Sequence, residues 1–160
     1  MPHSNPSDQE VTRLLTDATT IAVVGASSNP DKESHGIMQK LQRTGYRVIP
    51  VNPRYPEILG EKCYPSVREV PEKIDIVDVF RKSADVLPIA EDAIAVRAKV
   101  LWQQLGVRNE AAAARARAAG LEAVMDRCVK IEHGRLFGGL NWVGVNTRVI
   151  SAKRPRWLAY

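Results

Sequence analysis

Five short stretches of this sequence combine small, polar and cationic residues in a way suited to phosphate: Gly25-Ala26-Ser27-Ser28, Asn52-Pro53-Arg54, Phe80-Arg81-Lys82, Gln103-Gln104-Leu105-Gly106 and Asp126-Arg127-Cys128. In the first, a glycine lets the backbone approach an anion closely and two serine hydroxyls can donate hydrogen bonds. The helix expected after it would present unpaired N–H groups and a favourable dipole. A tight strand-to-helix turn with no ligand has the same composition, and Ser27-Ser28-Asn29-Pro30 departs from the full G-x-G-x-x-G fingerprint, so this stretch does not decide by itself. The second stretch discriminates better. Dinucleotide sites for NAD place an acidic residue at the end of the second strand, whereas this chain has Asn52, Pro53 and Arg54. A guanidinium offers paired donors to phosphate oxygens, which favours a ligand with a ribose phosphate, NADP or coenzyme A, over NAD. The plain alternative is a surface arginine beside a proline turn.

The other candidates divide between site and scaffold. Phe80 can serve as an apolar platform or close a strand into the core. Arg81 and Lys82 can meet phosphate or remain in water. Gln103 and Gln104 can bond amide groups of a ligand, but strand alternation turns only one of them toward a given face. Cys128 ends the last strand on the rim where a ligand would lie. It can form a mixed disulfide with a ligand thiol under oxidation or be a buried inert cysteine. Little here makes or breaks bonds: His3, His35 and His133 have no Asp or Ser at a spacing that suggests a triad, and Asp75 and Asp78 point to opposite faces of one strand.

The elements that must position these residues follow from apolar periodicity and punctuation. Ser7-Asp8-Gln9-Glu10 has the capping-box form and predicts a helix over 8–17. Thr20-Ile21-Ala22-Val23-Val24 is the β-branched run of a strand buried on both faces, stopped by Gly25. A helix over 36–44 ends at Gly45, and a second strand over 46–51 is stopped by Asn52-Pro53. Then come a short helix at 66–70, a third strand over 74–80, a helix from Ser83 to about residue 97, a fourth strand over 99–105, a helix capped by Asn109 and ended by Gly120, and a fifth strand over 121–125. This alternation predicts an α/β, Rossmann-like fold: a five-stranded parallel sheet, order 3-2-1-4-5, with helices on both faces and right-handed crossovers. The ligand is expected outside the carboxyl ends of the strands, between strands 1 and 4.

Length and composition set the limits. The 160 residues suit one domain, taken as 1–147 with its N-terminal helix, followed by a basic tail at 148–160. Charged residues are 26% of the chain and no apolar run approaches a membrane span. With no export signal at the N-terminus, a cytoplasmic location is expected. Two cysteines suggest neither a disulfide framework nor a zinc site. The net charge of +5 falls to +1 without Arg148, Lys153, Arg154 and Arg156, so the body is nearly neutral and nucleic acid is not the expected partner. Trp157 and Tyr160 beside that basic cluster leave a docking role open. The apolar stretch 138–147 can cover the sheet or a second subunit, so a homodimer or protein partner is also open.

Beyond these readings, the sequence resembles a known family. The run Val23-Val24-Gly25-Ala26-Ser27, with Val48-Ile49-Pro50-Val51-Asn52-Pro53, Tyr64-Pro65-Ser66, Ile76-Val77-Asp78-Val79-Phe80-Arg81, Leu101-Trp102-Gln103-Gln104 and Met125-Asp126-Arg127-Cys128, is similar to the small stand-alone CoA-binding proteins. These are in turn similar to the CoA-binding domain of the succinyl-CoA synthetase α subunit. The resemblance spans about residues 10–140. It implies coenzyme A as cofactor, free or as acyl-CoA, with Gly25, Ala26, Ser27 and Ser28 around the phosphates, Arg54 where the synthetase has a lysine, and Val79, Phe80 and Arg81 beside the adenine and ribose. Asn52, Pro53, Gln104 and Cys128 complete the expected binding set, and no residue is expected to be catalytic. The synthetase keeps its phosphorylated histidine in a second domain absent from this sequence, so ligase activity does not follow. Two other readings stay open: an NADP-binding oxidoreductase or redox sensor, and an interaction protein acting through the basic tail.

Overall fold

A computed structural model describes residues 2–137 of the chain. The apolar stretch 138–147 and the basic tail with Trp157 and Tyr160 lie outside the described residues.

Helix α1 (Asp8–Asp17) begins as its capping box dictates, with the Ser7 hydroxyl oxygen accepting from the Glu10 N–H at 3.2 Å. Five strands follow in one parallel sheet: β1 (Thr20–Val24), β2 (Arg47–Val51), β5 (Ile76–Val79), β6 (Val100–Gln103) and β7 (Glu122–Val124). Between them run α2 (Glu33–Arg43), α3 (Val86–Ala95) and α4 (Glu110–Ala118), and α5 (Val129–Phe137) follows the last strand. Asn109 caps α4 as expected, its side chain accepting from the Ala112 N–H at 2.9 Å.

Alternation along the strands splits the core in two. Ile21, Val23, Ile76 and Trp102 face one side, under Leu14 and Leu15 of α1, Met38 and Leu41 of α2, and Val129 and Leu136 of α5. Ala22, Val24, Val77, Val79 and Leu101 face the other, where the alanines of α3 and α4 let those helices approach closely. Both faces are covered, so every residue of β1 is buried.

The strand order differs from the expected 3-2-1-4-5. The sheet runs β2-β1-β5-β6-β7, which is 2-1-3-4-5 over its five strands in chain order. The reason lies in the connection from β2 to β5. It carries a small antiparallel hairpin, β3 (Glu57–Ile58) and β4 (Glu61–Lys62), and a 3-10 turn at Val67–Glu69. Val67 and Val70 pack on the sheet face opposite α2. With right-handed crossovers, changing face reverses the direction of travel, so the third sheet strand lands on the free side of β1. Asp75 fixes it there: its buried carboxylate accepts from the Thr19 N–H and hydroxyl, both at 2.9 Å, and from the Thr20 N–H at 3.0 Å. Burial pushes that carboxyl up, but these hydrogen bonds and Lys99 outweigh it and hold Asp75 below the usual carboxylate range. The winding therefore reverses between β1 and β5, not between the first and fourth strands.

Candidate functional site

At that reversal, α2 leaves the end of β1 toward one sheet face while α3 leaves the end of β5 toward the other. The loops part and open a cleft of ≈ 610 Å³ at the carboxyl ends of the strands.

Gly25 forms its floor. It adopts φ +88°, donates its N–H to the Val51 carbonyl at 2.9 Å, and lies so close to the next strand end that a Cβ would strike the Phe80 carbonyl and the Arg81 stem. Two constraints thus demand glycine, a left-handed backbone and the absence of a side chain. The turn beyond is held from two sides. The Ala26 carbonyl accepts from Asn52 Nδ2 at 2.8 Å, and the Ser27 carbonyl lies 2.9 Å from His35 Nδ1, which must donate to it. Ser27 Oγ accepts from the Asn29 N–H at 3.0 Å. Helix α2 starts here, and Lys32 at its N-cap makes no side-chain cap hydrogen bond. Its His35 N–H donates to the Lys32 carbonyl at 3.1 Å, and Glu33 and Ser34 of its first turn line the cleft.

The wall from β2 is a braced strap. Asn52 Oδ1 accepts from the Arg54 N–H at 2.9 Å, the Asn52 N–H donates to the Tyr64 carbonyl at 2.9 Å, and Cys63 Sγ donates to the Asn52 carbonyl at 3.3 Å. Burial pushes the Cys63 thiol up, which keeps it protonated. Tyr55 rests its ring on the apolar cluster. The nearby Ser27 and Ser28 hydroxyls, with Arg54 and Lys32 adding to the effect, lower its phenol below the ordinary tyrosine range. The opposite wall carries half-buried Phe80 and exposed Arg81, Lys82 and Asp85. Among the described residues, none of Lys32, Arg54, Arg81 and Lys82 forms an ion pair.

Of the residues singled out from the sequence, the cleft brings together Gly25, Ser27, Asn52, Arg54, Phe80 and Arg81. Ser28 and Pro53 are exposed and do not line it. Ala26 and Val79 are wholly buried. Gln104 is buried as well, its Oε1 accepting from the Val129 N–H at 3.0 Å where α5 begins, and Cys128 sits in the core beneath the same helix. Gln103 points to the other face and brackets Asn109, accepting its N–H at 2.8 Å and donating to its carbonyl at 3.2 Å. Lys32, Glu33, Ser34, Tyr55 and Asp85 are the cleft residues that sequence reasoning missed. The only signal for Tyr55 was its place next to Arg54.

Groups of catalytic type are disposed otherwise. His133 packs between Tyr46 and Phe137, and burial, with Lys40 nearby, lowers its pKa to about 4. Asp78 is fully buried on β5 between Val23 and Trp102, and its oxygens have no hydrogen-bond partner among the described residues. Burial pushes that carboxyl well up, so it is a neutral acid in the core, away from the cleft.

A crevice at the switch point of a doubly wound parallel sheet, walled by cations and a helix N-terminus, defines this molecule as a Rossmann-like α/β protein. The chain belongs to the CoA-binding domain family, whose model matches residues 19–134. It is 41% identical over 129 residues to the uncharacterized protein YneT of Bacillus subtilis (strain 168), covering 81% of this chain and 96% of that one. A solved structure of a hypothetical protein from Pyrococcus horikoshii OT3 superposes with a TM-score of 0.81 at 42% identity, covering 86% of this chain and 100% of that one. The ADP-forming acetate–CoA ligase I of Archaeoglobus fulgidus is 46% identical over 56 residues, which is 35% of this chain and only 8% of the ligase.

Proposed function

We propose that this protein binds coenzyme A, free or as an acyl-CoA, in the cleft between the ends of β1, β2 and β5, and that it is a binding module without chemistry of its own. The observation that carries the reading is the group of unpaired cations, Lys32, Arg54, Arg81 and Lys82, around a turn that only glycine can make. A ligand with three phosphate groups suits such a site, and family membership narrows the choice to coenzyme A. The Gly25 turn and the start of α2 receive the diphosphate. Arg54 meets the ribose phosphate, and Phe80 with Arg81 flanks the adenosine. The pantetheine arm runs along the rim toward Gln104 and Cys128, both buried, so contact with either requires the loops after β6 and β7 to part. Against a catalytic role stand the buried neutral His133 and the use of His35 to hold a loop carbonyl.

Calorimetry with coenzyme A, NADP and NAD tests this. Coenzyme A is expected to bind, NADP weakly, and NAD not at all. Binding of NADP as tight as that of coenzyme A would move the reading to a reductase, the second function Arg54 permits.

A further inference from the structure

Two side chains behind the cleft wall hold polar atoms with no hydrogen-bond partner among the described residues: Asp78, through both carboxyl oxygens, and Gln104, through Nε2. Both are buried, Asp78 completely and Gln104 to within 2%. A buried polar atom left unbonded costs free energy that a folded chain seldom carries without a use. The two stand on one sheet face. Asp78 is paired in register with Trp102, so Gln104, two residues on, shares its side of the sheet, while Gln103 between them turns to the other face and bonds to Asn109. At about 3.3 Å per residue and 4.8 Å between strands, their backbones are about 8 Å apart, a gap that one amide group can span between the two side chains. Asp78 also lies two residues behind Phe80, which lines the cleft, so the pair sits roughly 7 Å inside that wall.

The orientation of Gln104 is fixed, because its Oε1 accepts from the Val129 N–H at 3.0 Å and leaves Nε2 as a donor. Asp78 supplies the acceptor. A donor beside an acceptor complements a secondary amide, which carries one carbonyl and one N–H. The turn that covers the pair is tied down by polar contacts that water can replace: Asp126, at φ 60°, accepts from the Gly106 N–H at 2.7 Å and pairs with Arg108 at 3.0 Å. Building on the coenzyme A reading, we infer that Asp78 and Gln104 form an amide-binding site for the pantetheine arm, covered in the free protein by the turn after β7. Gln104 Nε2 donates to an arm carbonyl, and Asp78 accepts the N–H of the same amide. The free protein carries the cost of the unbonded groups, and the arm relieves it on binding.

Calorimetry on the full chain with coenzyme A and with adenosine 3′,5′-bisphosphate, a nucleotide without the arm, tests this. Asp78→Leu keeps the branching and replaces both oxygens with methyl groups. It is expected to weaken coenzyme A about tenfold, the scale of one buried hydrogen bond and the partner it leaves unbonded, and to leave the bisphosphate unchanged. Asp78→Asn retains an acceptor oxygen and should bind coenzyme A as the wild type does. In urea without ligand, Asp78→Leu should be at least as stable as the wild type, because the carboxyl it replaces has no partner to lose. A loss shared equally by both ligands, coenzyme A affinity unaffected by Asp78→Leu, or a lower urea midpoint for that variant overturns the inference. One measurement needs no variant to fold: in NMR of the wild type, the Gln104 side-chain amide signals should move with coenzyme A and stay in place with the bisphosphate. Identical responses to the two titrants overturn the inference as well. Bisphosphate binding as tight as that of coenzyme A would remove the arm site and leave the nucleotide site standing; if neither binds, the proposed function has failed first.

Discussion

The two ends of the sheet both gather charged side chains and dispose them in opposite ways. At the amino ends of the strands a second hollow of ≈ 310 Å³ is ringed by Arg13, Asp17, Lys99 and Glu122. Each cation there has a carboxylate: Arg13 lies 3.9 Å from both Asp17 and Glu122, and Lys99 lies 3.8 Å from Asp75. Nearby, Arg47 pairs with Glu61 and, at 2.8 Å, with Glu72. At the carboxyl ends, Lys32, Arg54, Arg81 and Lys82 face an open cleft unpaired. The parallel sheet reinforces the difference, because helix N-termini with their positive partial charge gather at its carboxyl edge. A hollow whose charges pair off needs no visitor, whereas one whose lining sets four cations outside any ion pair against two acids, Glu33 and Asp85, suits an anion.

The comparison is broken most severely through the cleft floor. Gly25→Ala forces a Cβ into the Phe80 carbonyl at positive φ and should destabilise the fold by about 2–4 kcal/mol in urea unfolding. Gly36→Ala, inside α2 with nothing within 4 Å of its Cβ position, should stabilise by up to about 1 kcal/mol. Similar effects at both positions would show that Gly25 is an ordinary turn residue.

Acid sharpens the comparison, since it weakens the fold without discharging the cleft. His133 has its pKa lowered to about 4 from 6.5, so the unfolded chain takes up its proton first. The stability from burying it neutral is complete above pH 6.5 and is lost as pH falls toward 4, by about 3 kcal/mol in all. Asp75 and Glu72 at the paired end are held below the usual carboxylate range, so they lose charge later on acidification than an ordinary carboxylate. His133→Phe should therefore flatten the pH dependence of unfolding between 6.5 and 4. A slope unchanged by that substitution would shift the cause to the carboxylates.

Arg54→Ala and Arg81→Ala give the direct contrast in binding. Each should weaken coenzyme A about tenfold in calorimetry, with a cost that shrinks in high salt. Arg13→Ala, at the paired end, should leave binding unchanged and alter stability by no more than about 0.5 kcal/mol. Equal losses from both ends would mean that net charge, and not the cleft, attracts the ligand.

Much of this arrangement is written locally in the chain. The β-branched run 20–24, the capping box at Ser7 and the stop at Gly45 act through neighbours in sequence, so patterning reveals them. Strand order is different. Crossover handedness is universal, but which face the β2–β5 connection takes depends on where Val67 and Val70 find cover. The hairpin was hidden because Leu59, φ 51°, holds a turn position usually given to Asn or Asp, leaving Gly60 as the only cue. Helix α5 was missed because Gly134 interrupts a short run with weak helical patterning. At the site, Gly25, Arg54 and Arg81 were readable from their places at strand ends. Lys32 and Tyr55 were not, since their roles arise only when α2 and the strap close on the same turn. Gln104 and Cys128 lie at strand ends too, and α5 covers them.

The central place of β1 bears on how a ligand can enter. Its backbone amides are bonded into a sheet flanked by β2 and β5, with helices over both faces, so they should exchange with solvent only when the whole molecule opens. The strand that ends in the phosphate turn is thus the slowest part of the protein to breathe. Admission of a long, flexible cofactor falls to the loops around it, moving against a fixed anvil.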